Sequence, residues 1–249
     1  MTVKQRVTEH EIQSAYQGHE FAASYVGDRF TSELTRLLHE KQVGVVQRYI
    51  DRVQPARVLE IAPGPGRITR EIRTPRDHVA LEFNEGMIST GRPLCTPKTQ
   101  WVRGNAFSLP FDSTASFELA YAFRFIRHFR RPDREHIYEQ IRTSLSPGGW
   151  LLLDAVNGVA SRPFRRKSPE SYPIYDELYD NLDALRTELA DAGFQVEEAV
   201  EAQRSIQLQY KSQIFVGPRW NWLNRAIIRL LERCSRGPAL EWIVACRRE

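Results

Sequence analysis

The chain has 249 residues, of which 41% are hydrophobic and 27% charged, and a formal net charge of +4. That balance is ordinary for a globular protein, and the chain is long enough to bury a sizeable core. The three cysteines, Cys95, Cys234 and Cys246, are odd in number and widely spaced, which argues against a disulfide framework or a cysteine metal site.

The opening stretch, MTVKQRVTEHEI, lacks the apolar core of a signal peptide. No apolar run approaches the roughly 20 residues that cross a membrane. A cytoplasmic protein without a membrane span is expected. Residues 8–28 read as a polar helix with Tyr16, Phe21 and Tyr25 about one or two turns apart. Leu34, Leu37, Leu38, Val45, Val46, Tyr49, Ile50 and Val53 then share one helical face. Residues 1–53 are therefore expected to form an N-terminal helical cap, and 54–249 the main domain.

From residue 56 the rhythm changes. VLEIA, HVALEF, WVRG, FELAYAF and WLLLDAV have strand length, and ITREIR, NEGMISTG and REHIYEQIRTSL between them have helical character. Such alternation implies parallel strands joined by crossover helices. After Asn157 it breaks. GVASRPFRRKSPESYP reads as a loop-like basic insertion, so a cap-forming segment is expected around 158–180. A helix ending at Gly193, a strand FQVEEAVE, a helix RWNWLNRAIIRLLERC and a strand ALEWIVACRR complete the chain.

The stretch VLEIAPGPGRIT, residues 58–69, carries the first chemistry. A turn leaving the first strand of an α/β unit sits at the carboxyl edge of the sheet, where ligands bind. Gly64 and Gly66 let the backbone approach a ligand, and Pro63 and Pro65 stiffen the bend. Glu60 is placed to reach a cationic group or to orient the loop. Glu82, 22 residues later, ends the next strand, where a carboxylate can accept both hydroxyls of a ribose. A dinucleotide fingerprint would need a third glycine where Thr69 stands, so that reading fails.

Four segments, in order, resemble the class I S-adenosylmethionine-dependent methyltransferases, most closely the small-molecule type that includes the ubiquinone and menaquinone biosynthesis enzymes. VLEIAPGPG (58–66) resembles E/D-x-G-x-G-x-G, and VALEFNEGMI (79–88) resembles V-x-G-x-D-x-S-x-x-M-L. VRGNAFSLPF (102–111) is similar to G-D-A-x-x-L-P-F. FELAYAFRFIRHF with LSPGGWLLL (145–153) is similar to the fourth-strand and L-K-P-G-G segments. The resemblance implies a Rossmann-like α/β fold, a doubly wound, mostly parallel seven-stranded sheet with the helical cap, and S-adenosylmethionine as cofactor. It implies that Ala62, Gly64 and Gly66, with Pro63 in the bend, cradle the methionine part while Glu60 approaches its ammonium. Glu82 would hold the ribose and Phe83 and Met87 would flank the adenine. Asn105 would accept from the adenine amino group, Ala106 and Phe107 would complete that pocket, and Ala122 and Phe123 would face the methyl group. Tyr16 and Tyr25 match a lead-in helix that closes over the cofactor, with ordinary helix packing as the other reading.

Methyl transfer needs a nucleophile held in line and, for an alcohol or carbon acid, a base. His128 takes the second place of the family's His-His pair and is the candidate base, since imidazole titrates near neutrality. A packing role at the mouth of the next helix is its alternative. Arg124, Arg127, Arg130 and Arg131 replace residues that are usually apolar or His, and a guanidinium there suits a carboxylate or phosphate. A small-molecule acceptor with an anionic group is the expectation, with one or two of these arginines lining the pocket and Arg124 a catalytic candidate beside His128; a solvated basic face is the other reading. Tyr210, Phe215, Trp220 and Trp222 are candidates for an acceptor wall. The arginine clusters leave RNA methylation as the runner-up, although the fourth strand lacks the Asn/Asp-Pro-Pro-Tyr tetrad and no Pro-Cys pair appears. A non-catalytic protein that binds cofactor or a partner is the third reading.

Overall fold

The computed structural model describes residues 32–73, 76–111, 116–167 and 179–249. The first described helix, α1 (Glu33–Val53), starts where the Ser32 hydroxyl accepts from the backbone N–H of Thr35 at 3.2 Å. It stops at Gln54, which takes a left-handed conformation at φ 49° and donates its N–H to the Ile50 carbonyl. The apolar stripe read from sequence faces the sheet: Leu38, Val45, Val46, Tyr49 and Ile50 pack on Val58, Leu119, Tyr121 and Leu152. Within the segment expected to be a cap, this helix is thus a layer of the main fold. Tyr16 and Tyr25 lie outside the described residues.

The strands are β1 (Arg57–Ile61), β2 (Asp77–Glu82), β3 (Thr99–Arg103), β4 (Phe117–Ala122), β5 (Leu145–Val156), β6 (Phe194–Arg204) and β7 (Ala239–Arg248). Among the described residues they form one seven-stranded sheet in the order β3-β2-β1-β4-β5-β7-β6. Pairing is parallel from β3 to β5, while β7 runs antiparallel between β5 and β6. Strand order reverses between β1 and β4, which opens a crevice at their carboxyl ends. Helices α2 (Glu85–Gly91) and α3 (Arg131–Ser144) connect parallel strands, and α5 (Leu182–Asp191) precedes β6. On the face opposite α1, Ile137, Tyr138, Ile141, Leu185 and Leu189 bury against Leu59, Ile61, Ala120, Leu151 and Val244. No helix among the described residues is long and apolar enough to cross a membrane.

Three segments differ from expectation. ITREIR is a chain of turns, too short for a lasting helix before β2, with Ile68 and Ile72 buried as anchors. The first ten residues of the expected loop insertion form α4 (Gly158–Lys167) despite Pro163 within it. Asn157 supports its start by accepting the Val159 N–H at 3.0 Å, and Arg165, Arg166 and Lys167 complement the dipole at its end. A further helix, α6 (Ile206–Phe215), precedes α7 (Asn221–Cys234); its apolar residues are spread around the axis, so no periodicity announces it.

Candidate functional site

The crevice between β1 and β4 opens into a cleft of about 930 Å³. Its floor is the turn after β1. Ala62 and Gly64 both sit at positive φ, 53° and 59°, and a Cβ added to Gly64 would meet nothing within 4 Å. The bare backbone of Gly64 therefore faces open space, a cradle that a side chain would fill. Glu82 stands beside it, buried, its two oxygens accepting the N–H groups of Gly64 and Asn84 at 2.9 Å each. Burial raises the Glu82 pKa, opposed by the backbone donors Asn84, Gly64 and Phe83. Each oxygen keeps acceptor capacity beyond those bonds.

Phe83 and Met87 line one wall, where Asn84 caps α2 by accepting from Gly86 and Met87 at 2.8 and 3.2 Å. Asn105, Ala106 and Phe107 line the next. The Asn105 side-chain oxygen Oδ1 accepts the Phe107 N–H at 3.0 Å, which fixes the amide in the turn. Phe123, Arg124 and His128 close the far side. His128 ends a 3-10 turn, Ile126–His128, and is buried edge-on to Phe129 with ring centroids 6.4 Å apart.

Four residues expected on the cofactor lie beneath the cleft surface instead. Glu60 is buried under the turn, accepting from the Thr69 hydroxyl at 2.6 Å and lying 3.4 Å from His78 Nε2. Gly66 faces inward, where a Cβ would come within 2.7 Å of Cys95 Sγ and 3.3 Å of Trp101, so its missing side chain serves packing. Pro63 is buried and shapes the bend through its carbonyl, which accepts the Gly66 N–H at 3.2 Å. Ala122 belongs to the sheet core. Sequence reading missed Phe125 and Phe129, which extend the wall begun by Phe107: Phe125 and Phe107 both pack edge-on to Phe129, at 4.9 and 5.4 Å between centroids. Phe125 and Phe129 sit among the arginines of RFIRHF, where charge drew the attention.

The arginines separate into different roles. Arg127 is buried in a bidentate pair with Glu241, both contacts 2.9 Å, and also donates to Asp154 at 2.9 Å. Asp154, fully buried, further accepts the backbone N–H of Arg124 at 2.6 Å and the Gln42 amide at 2.8 Å. Gln42 in turn accepts from Arg67 at 2.7 Å, which links the network to the turn after β1. Burial raises Asp154 to about 6 against the pull of Arg127. Burial would raise Glu241 too, but Arg127 and Arg124 outweigh it and hold that carboxyl below its usual range. Arg124, at φ 57°, is held by this network with its side chain on the cleft. Arg131 points outward to Glu135 and Asp191.

A family model described as a methyltransferase domain matches residues 58–149, the span that holds the turn, Glu82 and the cleft walls. This span is therefore similar to a methyltransferase domain. No curated protein matches the chain in sequence. In structure the chain is similar to magnesium protoporphyrin IX methyltransferase from Synechocystis PCC 6803 with bound S-adenosylhomocysteine, with a TM-score of 0.66, 9% identity, and coverage of 97% of this chain and 100% of that one. It is similar to a possible histamine N-methyltransferase from Thermotoga maritima, with a TM-score of 0.61, 16% identity, and coverage of 93% and 98%. A methyltransferase from Haloferax volcanii, solved in complex with its Trm112 activator, gives a TM-score of 0.61, 16% identity, and coverage of 92% and 96%. The seven-stranded sheet with its antiparallel β7 is a Rossmann-like fold shared with these structures. The cleft fits S-adenosylmethionine: Gly64 offers an open backbone, Glu82 a buried acceptor, and Asn105 to Phe107 a polar and apolar wall.

Proposed function

We propose that the chain transfers the methyl group of S-adenosylmethionine to a small-molecule acceptor bearing an anionic group. The observation that carries this reading is the buried Glu82 carboxylate anchored next to the open face of Gly64, both inside the domain. When bound, the cofactor supplies a sulfonium-activated methyl group.

The chain's own residues bind, orient and exclude water. Glu82 accepts the ribose hydroxyls with its remaining lone pairs. Gly64 leaves room for the amino-acid tail, and Asn105, Ala106, Phe107, Phe83 and Met87 enclose the base. Phe125 and Phe129 keep that side dry, which strengthens each polar contact within. His128 takes the proton from an acceptor hydroxyl or amine, and Arg124 orients the acceptor through its anionic group. Arg127 acts behind Arg124 by holding Asp154 and Glu241 in place.

The test is production of S-adenosylhomocysteine from S-adenosylmethionine over pairs of acceptors that differ only in carboxylate against carboxamide. Turnover confined to the acidic member supports the reading. Cofactor binding without turnover across acceptors of both kinds would favour the non-catalytic reading.

A further inference from the structure

A second cleft, of about 1310 Å³, lies on the other side of Arg124, which lines both cavities. We infer that this second cleft is the acceptor chamber, and that its ligand is an amphiphile with an apolar or aromatic body and one carboxylate or phosphate, seated by Arg165 together with Arg124. The inference rests on the methyl-transfer reading above and assigns that reaction a substrate class and a place.

The chamber's wall is built from segments remote from the cofactor turn. Helix α4 turns Ser161, Phe164 and Arg165 to it, an i, i+3, i+4 face. Tyr210 of α6 meets Phe164 edge-to-face, with ring centroids 5.6 Å apart at 79°. Leu34 and Leu38 of α1 add an apolar floor. A flat hydrophobic body suits that surface.

The charged side chains on the same wall are mostly cationic. Arg124, Arg127, Arg165 and Lys167 line the chamber, against Glu241 as the carboxylate that lines it. Glu241 is engaged by Arg127 through two hydrogen bonds and lies 3.9 Å from Arg124, so Arg165 and Lys167 supply the excess of positive charge. A concave site with apolar walls focuses the remaining positive field on a ligand inside it. Arg165 Nε donates to Ser161 Oγ at 3.0 Å, which fixes the plane of the guanidinium. A fixed guanidinium selects a planar or tetrahedral anion better than a mobile ammonium does. Because the cations sit around a pocket with aromatic and aliphatic walls, a small anion with an apolar body fits better than the extended backbone of RNA.

The experiment uses the full chain saturated with S-adenosylhomocysteine, whose own binding is first measured by calorimetry. Phenyl phosphate, benzoate and benzamide are then titrated and followed by ligand-observed NMR. The expected result is that at least one acidic probe binds about tenfold more tightly than benzamide, the scale of one charged hydrogen bond. Arg165→Gln should remove that preference while leaving S-adenosylhomocysteine affinity unchanged, and Arg165→Lys should keep only part of it. Preference for phenyl phosphate over benzoate would identify a phosphate ligand, and the reverse a carboxylate. Equal binding of benzamide, an unchanged preference in both Arg165→Gln and Arg124→Gln, or silence of all three probes would overturn the inference. Absence of S-adenosylhomocysteine binding with an intact acid preference would instead defeat the methyl-transfer reading and leave the anion site standing.

Discussion

The two halves of the sheet's carboxyl edge are built in opposite ways. On the β1, β2 and β3 side the cleft is made from turns directly after each strand, with backbone groups, one buried carboxylate and small residues. On the β4, β5 and β7 side a buried ion cluster carries the wall, and its members come from distant parts of the chain: Arg127 meets Asp154 across 27 positions and Glu241 across 114. The first half can be changed locally. The second is a network in which one deletion strands several charges. Binding losses should therefore separate from stability losses according to the half that is altered.

The largest effect is expected at Arg127. Replacing it with Leu leaves Asp154 and Glu241 buried without their shared cation, at a cost of about 3–5 kcal/mol. Urea unfolding should show that loss, and a shift under 1 kcal/mol would mean the cluster is not buried as described. The two glycines of the turn then set the halves of the comparison against each other within three residues. Gly66→Ala pushes a methyl group into Cys95 and Trp101 and adds left-handed strain at φ 71°, and should destabilise the fold by about 2–5 kcal/mol. Gly64→Ala meets no atom, so apart from about 1–2 kcal/mol of left-handed strain its main effect should be on S-adenosylhomocysteine affinity. Equal effects on binding from both substitutions would break the distinction.

A smaller effect should appear with pH. Burial raises Asp154 to about 6, so its carboxylate gains a proton as pH falls through that value and holds Arg127 and the Arg124 backbone less firmly. With cofactor saturating, kcat/KM for the acceptor should decline below pH 6, and Asp154→Asn should remove the part of that acid limb that persists in His128→Gln. A limb in His128→Gln that Asp154→Asn leaves unchanged would assign it to another group.

The legibility of the sequence follows the same division. VLEIAPGPG, VALEF and VRGNAF are local: each strand, its turn and its cleft-facing residue occupy one short stretch, so the succession of strands and the places of Gly64 and Glu82 could be read from the residues, and Asn105 followed from the family resemblance. Glu60 could not, because its partners Thr69 and His78 are set by tertiary packing beneath the turn. Arg124 and Arg127 look alike in RFIRHF, and only the positions of Asp154 and Glu241 decide which one turns inward. Helix α6 lacks an apolar face, and α4 contains a proline and four basic residues in a stretch that composition reads as loop. The second cleft was illegible for that reason, although Tyr210 was visible as a wall candidate. Its companions Phe215, Trp220 and Trp222 are exposed and do not line it.

The central claim is that Glu82 and the turn beside it hold the cofactor. Calorimetric titration of the chain and of Glu82→Gln with S-adenosylhomocysteine tests it most directly. The expected result is one site per chain, weakened about tenfold or more by the substitution, since a carboxylate acceptor is exchanged for a neutral amide. An absence of heat with the folded chain, or an affinity that Glu82→Gln leaves untouched, would contradict it.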